Sequence, residues 1–290
     1  MKRTAFLQAF GNKEGLMELS AAKNHAFTNN GQPPAKRGIS GSTLKMIAVI
    51  TMFIDHFAAA ILSRYMAKLG LTDTVMTDQA AFNQWTSQNS SLYMTYFVMR
   101  MIGRIAFPIY CFLLIEGFEH TRNRIKYAGR LLLFAAISEI PFDLLFNGHV
   151  LEFGYQNVFF TLFFGLVSMM AIQYIDESGL SPMVKTLCRL ASAGCCMFCA
   201  QMIYTDYAAI GIFCILVLYF FRKNKKQQVI AGCVAFLWEF TAPLAFVPIW
   251  FYNGARGWKL KYFFYLFYPL HLLLLYIICT ALGIVSYPAM

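Results

Sequence analysis

The sequence predicts an all-α integral membrane protein, a polytopic helical bundle with about eight or nine transmembrane helices. Three observations predict this fold class. Hydrophobic residues make up 59% of the 290-residue chain and charged residues only 13%, whereas about 25% of the residues in a soluble domain are charged. The mean hydropathy is +0.54. Several apolar runs approach or exceed about 18 residues, the length expected of a membrane-spanning helix.

The first 43 residues differ from the rest of the chain in composition. They are polar, and their basic residues outnumber Glu14 and Glu18. Their apolar stretch, AFLQAF, is shorter than the core of a signal peptide. We expect residues 1–43 to form a cytoplasmic tail that is partly disordered near NNGQPP, and residues 44–290 to form the transmembrane domain.

The apolar runs predict where the transmembrane helices lie. The predicted full spans are 44–64, 93–118, about 131–146, 157–174, 183–204, a sixth that ends at Phe221, and 261–287. Residues 228–252 are also apolar, but Pro243 and Pro248 interrupt them. Because proline breaks the interior of a helix, this segment suits two short crossings or a re-entrant hairpin rather than two full spans.

Loops rich in Lys and Arg alternate with loops that are poor in them. The basic segments are the tail, 119–130, 222–226 and 256–261. The segments with few Lys and Arg residues are 65–92, 147–156 and 205–207. Because basic loops stay in the cytoplasm, we expect a multi-pass protein of the cytoplasmic membrane with its N-terminus inside and its C-terminus outside. The same loops account for the net charge of +10, so we expect contact with the lipid bilayer and no nucleic-acid partner.

The first span carries three polar residues, Lys45, Asp55 and His56. A charge in the middle of the bilayer costs at least a few kcal/mol and usually marks a functional site. Lys45 and His56 are eleven residues apart, so they lie on roughly one helix face, about 16 Å apart along the axis. Arg104 lies at mid-depth in the second span. We predict that it pairs with Asp55, because pairing lowers the cost of burying both charges.

Three further polar residues are candidates for the acceptor side of the site or for its support. His271 is a second mid-depth imidazole, in the last span, and is either a functional group or a hydrogen-bonded structural one. Asn157 stands at a span entrance, where it either caps a helix or contacts an acceptor. Glu139, in the third span, is a candidate to support the catalytic imidazole.

The eight cysteines are interpreted as buried thiols. All of them lie in or beside apolar runs, where free cysteine behaves as a small hydrophobic residue. The segment CCMFC at 195–199 has no second cysteine pair and no nearby histidine, as a zinc site would require. We therefore expect no metal.

Four stretches closely resemble the TraX family, whose named members acetylate the N-terminal amine of a conjugative pilin in the membrane. The resemblance runs from about Leu44 to Tyr276. The stretches are LKMIAVITMFIDH, GRIAFPIYCFLLIEGFEHTRNRIKYAGRLLLFAAISEIPFD, NVFFTLFFGL and NGARGWKLKYFFYLFYPLHLLLLY. The segment TDYAAIG departs from the resemblance, because alanines follow Tyr207 where we expect a glycine.

TraX proteins are in turn similar to acyltransferase family 3, in which a basic residue precedes a catalytic histidine by the spacing seen between Lys45 and His56. This resemblance implies acetyl-CoA as the donor, with its phosphates bound by Lys45, Arg122 and Arg124. It implies that His56 is the general base. Arg104 then either stabilises the developing oxyanion or only neutralises Asp55.

These observations together predict a membrane acetyltransferase, formed by residues 44–290. It would transfer acetyl from cytoplasmic acetyl-CoA to an amine or hydroxyl of a pilin N-terminus or a cell-envelope component. The alternative is a transporter or channel for a small polar solute, because intramembrane charges also line transport pathways. No internal repeat is visible, although transporters often contain one. A third alternative is a non-catalytic membrane scaffold. Tight binding of acetyl-CoA would distinguish the enzyme from both.

Overall fold

The computed structural model describes residues 37–258 and 261–288, and within these ranges the chain forms helices and no β-strands. The chain divides into two units, Met1–Gly38 and Ile39–Met290. Residues 1–36 of the predicted tail lie outside the described residues. The second unit contains the predicted transmembrane domain, and the prediction that it is all-helical is confirmed for its described part.

The helices are named here in chain order. The α-helices are α1 (Gly41–Phe57), α2 (Ser63–Lys68), α3 (Asp73–Thr77), α4 (Gln79–Gln88), α5 (Ser90–Gly103), α6 (Ala106–His120), α7 (Arg124–Phe146), α8 (Val158–Glu177), α9 (Pro182–Met202), α10 (Ala208–Phe220), α11 (Lys225–Ala235), α12 (Phe246–Trp250) and α13 (Lys261–Ala281). A π-helix, Ala58–Leu62, connects α1 to α2, and a 3₁₀ helix, Ala242–Ala245, precedes α12.

Five helical segments of the described chain are long and apolar enough to cross a membrane. They are Gly41–Lys68, Ser90–His120, Val158–Glu177, Pro182–Met202 and Phe263–Ala281. This supports a multi-pass protein, but it does not reach the expected eight or nine crossings. The remaining candidates are too charged or too short: α7 carries Arg130, Glu139 and Asp143, and α10 has 13 residues.

The start of α1 is fastened to the loop that precedes α13. Ser40 caps the helix, as serine commonly does. The backbone N–H groups of Gly41 and Ser42 donate to the carbonyl oxygens of Ala255 and Arg256 at 2.8 and 3.0 Å. Because α13 begins a few residues after this loop, the contact brings the first and last spans together at one end.

The second span is divided at Arg104 by a proline in the next turn. α5 ends at Gly103 and α6 begins at Ala106. Pro108 lies in the first turn of α6, and a proline ring clashes with the carbonyl of the residue four positions earlier, which here is Arg104. The resulting break changes the direction in which Arg104 points relative to the residues of α5.

The proline-containing segment after α11 folds into short helices. Pro243 opens the 3₁₀ helix and Pro248 lies within α12. Gly232 of α11 allows Phe246 to approach closely, since a Cβ at Gly232 would lie 2.2 Å from the Phe246 ring. The result is a compact reversal, and Glu239 lies at its turn, directed toward the α5–α6 break.

Two buried apolar clusters lie on either side of the candidate site. The larger one joins α6, α8 and α10 and includes Leu166 and Ile215. The smaller one joins α1, α7 and α13 and includes Met52, Phe142 and Leu272. The polar residues of the site lie where these clusters meet, so packed helices hold them on several sides.

Candidate functional site

A cavity of about 280 Å³ lies between α1, the α5–α6 break, α7 and the loop before α10. It is the place where the charged residues of different spans meet. Its polar lining includes Asp55, His56, Arg100, Arg104, Asp206 and Tyr207. Aromatic and aliphatic side chains complete the wall, as is typical of a small-molecule site with a few polar groups in a mostly apolar pocket.

The two mid-depth imidazoles form a hydrogen-bonded pair. His56 Nδ1 lies 2.7 Å from His271 Nε2, and the ring planes differ by 4°. His271 is 3% exposed, and its Nδ1 lies 2.8 Å from the carbonyl oxygen of Phe267. The two histidines come from the first and last spans, and the structure places them in direct contact.

The hydrogen bonds of this pair determine the tautomer of His56. A carbonyl oxygen can only accept, so the Nδ1 of His271 carries the proton. In a neutral His271, Nε2 is therefore the acceptor, and the Nδ1 of His56 must donate to it. The Nε2 of His56 is then unprotonated. Because His56 lines the cavity and His271 lies behind it, this arrangement suits His56 to act as a base.

Aromatic rings enclose the histidine pair. His56 makes edge contacts with Phe146 and Tyr268 at centroid distances of 5.8 and 5.9 Å. His271 stacks on Phe267 at 4.8 Å. These contacts restrict the orientation of both imidazoles, and Phe146 and Tyr268 line the cavity beside His56.

The predicted pair between Asp55 and Arg104 is wrong. Asp55 Oδ2 binds Arg100 at 2.7 Å, and Arg104 binds Glu239 Oε1 at 3.1 Å. The reason is the helix break: Arg100, on the last turns of α5, faces α1, whereas Arg104, in the break, points toward the turn that contains Glu239. Gly103 allows the close contact with α1, since a Cβ there would lie 2.2 Å from Asp55 Cβ.

Two carboxylate oxygens next to the arginines are unsatisfied. Asp55 Oδ1 and Glu239 Oε2 are buried and have no hydrogen-bond partner among the described groups. Buried polar atoms are normally paired, and an exception calls for an explanation such as water or a ligand. Asp55 and the two arginines line the cavity, whereas Glu239 lies on the neighbouring cleft that Arg104 also lines.

Lys45 lies on α1 with His56, as expected, but it does not line the cavity. Its Nζ lies 5.5 Å from the centroid of the Phe264 ring. The first N–H groups of α1 are already bonded to Ser40, Ala255 and Arg256. An anion at this end of α1 would therefore be bound by side chains rather than by the helix terminus.

Arg122 lies in the turn between α6 and α7 and Arg124 is the first residue of α7, both away from the cavity lining. Arg122 is exposed. The Nε of Arg124 donates to the carbonyl oxygen of Phe118 at 3.4 Å, and its guanidinium lies 4.3 Å from the centre of the Phe118 ring. The proposed contact of both residues with CoA phosphates stays a prediction.

Asn157 and Glu139 bind each other at the junction of α7 and α8. The Nδ2 of Asn157 donates to Glu139 Oε2 and, at 2.9 Å, to the carbonyl oxygen of Ala135. Its Oδ1 accepts from the N–H of Phe159 at 3.0 Å and so caps α8. The structure thus shows the capping arrangement, and places Glu139 against Asn157 rather than against the histidine pair.

Sequence reasoning did not assign four residues that the structure brings to the cavity or its ion pairs. Arg100 could have been found, because it lies one helical turn before Arg104 in the same apolar span. Glu239 is a charged residue within the apolar segment 228–252, but the sequence does not show its partner. Asp206 and Tyr207 lie in a short loop, and the residues that contact this loop cannot be predicted from its own sequence.

Asp206 is tied to the neighbouring loop. The hydroxyl of Tyr155 donates to its Oδ1 at 2.7 Å. Burial raises the pKa of the Asp206 carboxyl from 3.8 to about 6, while the bond from Tyr155 and the charge of Arg104 oppose this shift. Asp206 also lines a second, wider cleft of about 450 Å³, which shares Arg104, Tyr155 and Tyr207 with the cavity.

Comparison with known proteins identifies the family. A family model described as "TraX protein" matches residues 40–279. The chain belongs to the TraX family. The matched region begins at the cap of α1 and includes both histidines and both arginines of the site, so the site lies within the TraX region of the chain.

One curated relative of this TraX-family chain is named as a fimbrial protein. The chain is 30% identical over 273 residues to the "Probable fimbrial assembly protein FimC, serogroup H1" of Dichelobacter nodosus. The match covers 83% of this chain and 95% of the relative. No solved structure matches the chain.

Proposed function

We propose that this TraX-family protein is an integral-membrane acetyltransferase. It transfers acetyl from cytoplasmic acetyl-CoA to an amine or hydroxyl acceptor, either the N-terminus of a pilin-type protein or a component of the cell envelope. The observation that carries the proposal is the histidine pair, which leaves Nε2 of His56 unprotonated in a residue that lines a cavity with two arginines. The fimbrial relative supports a pilus-related acceptor.

The proposed reaction uses His56 as the base. The acceptor nitrogen or oxygen attacks the thioester carbonyl carbon and forms a tetrahedral oxyanion, and its proton passes to His56 Nε2. The carbon–sulfur bond then breaks, the carbonyl re-forms, and the CoA thiolate takes the proton back from His56. The positive charge that develops on His56 is shared with His271 through the bond at Nδ1.

Arg104 stabilises the oxyanion in this proposal. A guanidinium has five N–H donors, and the ion pair with Glu239 occupies only part of them. A donor that is already in place before charge develops contributes more than the same donor in bulk water. Asp55 acts through Arg100, which it holds at the cavity wall.

Acetyl-CoA approaches from the end of α1 that carries Lys45. This part of the proposal rests on the family resemblance and on the eleven-residue spacing from Lys45 to His56. At about 1.5 Å per residue, the two side chains are separated by roughly the length over which a pantetheine arm can extend. Lys45 would then meet the phosphates as a point charge, and Arg122 and Arg124 as bidentate donors.

The test is acetyl transfer by the purified protein in detergent or in lipid vesicles. Acetyl-CoA is supplied with a synthetic peptide that has a free N-terminal amine, and products are followed by mass spectrometry. His56→Ala should lower transfer by about 10²–10⁴-fold, the usual contribution of a general base, without abolishing acetyl-CoA binding. The control is His120→Ala, at an exposed histidine at the end of α6. Full turnover by His56→Ala, or no acetyl-CoA binding by the parent protein, would contradict the proposal.

A further inference from the structure

The first span changes its helix type directly after His56. α1 ends one residue later, and the π-helix Ala58–Leu62 leads into α2. The N–H of Ser63 donates to the carbonyl oxygen of Ala58, five positions earlier, whereas an α-helix bonds residues four apart. One extra residue in a turn rotates the preceding part of a helix by about 100° relative to the following part. The π-helix therefore determines the face of the span on which His56 lies relative to α2.

Three side chains donate to carbonyl groups of this π-helix. The hydroxyl of Ser63 donates to the carbonyl oxygen of Ala59. The Nη1 of Arg64 donates to the carbonyl oxygen of Ala60 at 3.0 Å, and the thiol of Cys279, in α13, donates to the same oxygen at 3.7 Å. π-helices are rare, and they occur frequently at functional sites. The π-helix after His56 is thus fixed by its own span and by the last one.

Arg64 is the buried cation of this arrangement. It is 2% exposed and lies in Gly41–Lys68, a segment long and apolar enough to cross a membrane. Among the described residues, no ion pair includes it. Its Nη2 donates instead to the carbonyl oxygen of Leu145, in the last turn of α7. A buried charge within a span is costly and usually functional, and this one is spent on binding the backbone of two helices.

The guanidinium of Arg64 joins two of the elements that form the histidine site. One bond is to the π-helix, about one turn after His56. The other is to Leu145, whose neighbour Phe146 makes an edge contact with His56 at 5.8 Å and lines the cavity. The thiol contact from α13 attaches the helix that carries His271 to the same turn. One small set of bonds thus connects all three helices around the histidine pair.

We propose that Arg64 is a positioning residue for the histidine pair, because it holds the π-helix of the first span against the end of α7. This inference rests on the proposed function, in which His56 is the base. Arg64 does not line the cavity, so it acts on the reaction through His56. A guanidinium suits this task, because its rigid fork of donors binds two carbonyl groups at once. The first span cannot rotate or slide without breaking one of these bonds.

The test is Arg64→Met, which keeps a long unbranched side chain and removes every donor. We expect kcat for acetyl transfer to fall by about 10–100-fold, because a displacement of about 1 Å caused far from the chemistry can cost about 10²-fold. The KM for acetyl-CoA should change by less than about two-fold, because the base acts in the transition state. Lys68→Met, at an exposed lysine one turn later on α2, is the matched control and should behave as the parent.

Two further variants separate positioning from an independent effect. Arg64→Lys keeps the charge but lacks the rigid fork, so its kcat should lie between those of Arg64→Met and the parent. Arg64→Met combined with His56→Ala should be no slower than His56→Ala alone, because Arg64 acts through His56. The kcat of the parent in Arg64→Met, or additive losses in the double variant, would overturn the inference.

Hydrogen–deuterium exchange gives a readout that needs no substrate. Amides 58–64 should exchange about 10-fold faster in Arg64→Met than in the parent or in Lys68→Met, because the π-helix opens more easily. Unchanged exchange would overturn the inference. If both Arg64 variants fail to fold while Lys68→Met folds, the role of Arg64 is structural and the inference fails. No acetyl transfer by the parent would overturn the proposed function and this inference with it, whereas full transfer by Arg64→Met would overturn the inference alone.

Discussion

The pKa of the Asp206 carboxyl is altered by the position of this residue in the fold. It lies in the loop between α9 and α10, outside the candidate spans. Burial raises the pKa of its carboxyl to about 6, against an ordinary value of 3.8. Since the folded-state pKa is the higher of the two, the folded chain binds this proton more tightly than the unfolded chain does. Stability contributed by protonated Asp206 is therefore present at low pH and is lost as pH rises to about 6.

This predicts a specific pH dependence for Asp206→Asn. The melting temperature of the parent minus that of the variant should fall between about pH 4 and pH 6, and then stay level. Thermal unfolding in detergent across pH 4–8 measures it. Asp73→Asn, at an exposed carboxylate of α3, controls for the general effect of removing a negative charge. A difference that rises across the same window would show that the carboxyl is stabilised in its charged form.

At the scale of elements, the site depends on how closely α5 packs against α1. The contact that joins them is the ion pair between Arg100 and Asp55, at 2.7 Å. Gly103 lies directly against Asp55, and a side chain there has no room. The absence of a Cβ at one position thus decides whether the two helices can come close enough to pair their charges.

Gly103→Ala should therefore separate α5 from α1. A Cβ 2.2 Å from Asp55 Cβ forces the helices apart, and overpacking of this kind costs about 1–3 kcal/mol. We expect a lower melting temperature and a loss of acetyl transfer, because Arg100 leaves Asp55. Gly129→Ala is the matched control, since a Cβ there meets nothing within 4 Å, and alanine favours a helix over glycine by about 0.5–1 kcal/mol. Equal stability of the two variants would refute the packing argument.

At the scale of the whole molecule, the cavity and Lys45 lie toward opposite ends of α1. The cavity is bounded by Tyr155 and Asp206, from loops that the charge pattern places outside. Lys45 lies at the end predicted to be cytoplasmic. With the predicted orientation, a donor from one side and an acceptor from the other would meet at His56.

Reporter fusions test this orientation. Fusions at residue 150 and after Met290 should report the outer side, and a fusion at residue 224 the cytoplasm, because the basic loops stay inside. A cytoplasmic signal at residue 150 would mean that α7, with its five charged residues, does not cross. A cytoplasmic signal after Met290 would mean that the segment from α11 to α12 crosses the membrane an odd number of times.

Properties local to a segment could be predicted from the sequence. The helical class, the multi-pass character and the proline-interrupted segment follow from hydropathy and proline positions, which act over a few neighbouring residues. The relation between Lys45 and His56 was also predictable, because one helix fixes their spacing through its rise per residue. The family was recognisable for the same reason, since its motifs are contiguous stretches.

The tertiary structure decided which polar groups meet. His56 and His271 are 215 positions apart, and nothing in either neighbourhood specifies the contact. Asp55 binds Arg100 rather than Arg104 because of the break that Pro108 imposes and the space that Gly103 leaves. Packing between spans determines how each helix is rotated, how closely two helices approach and where a helix changes direction. The sequence pattern of one span determines only which of its own residues share a face.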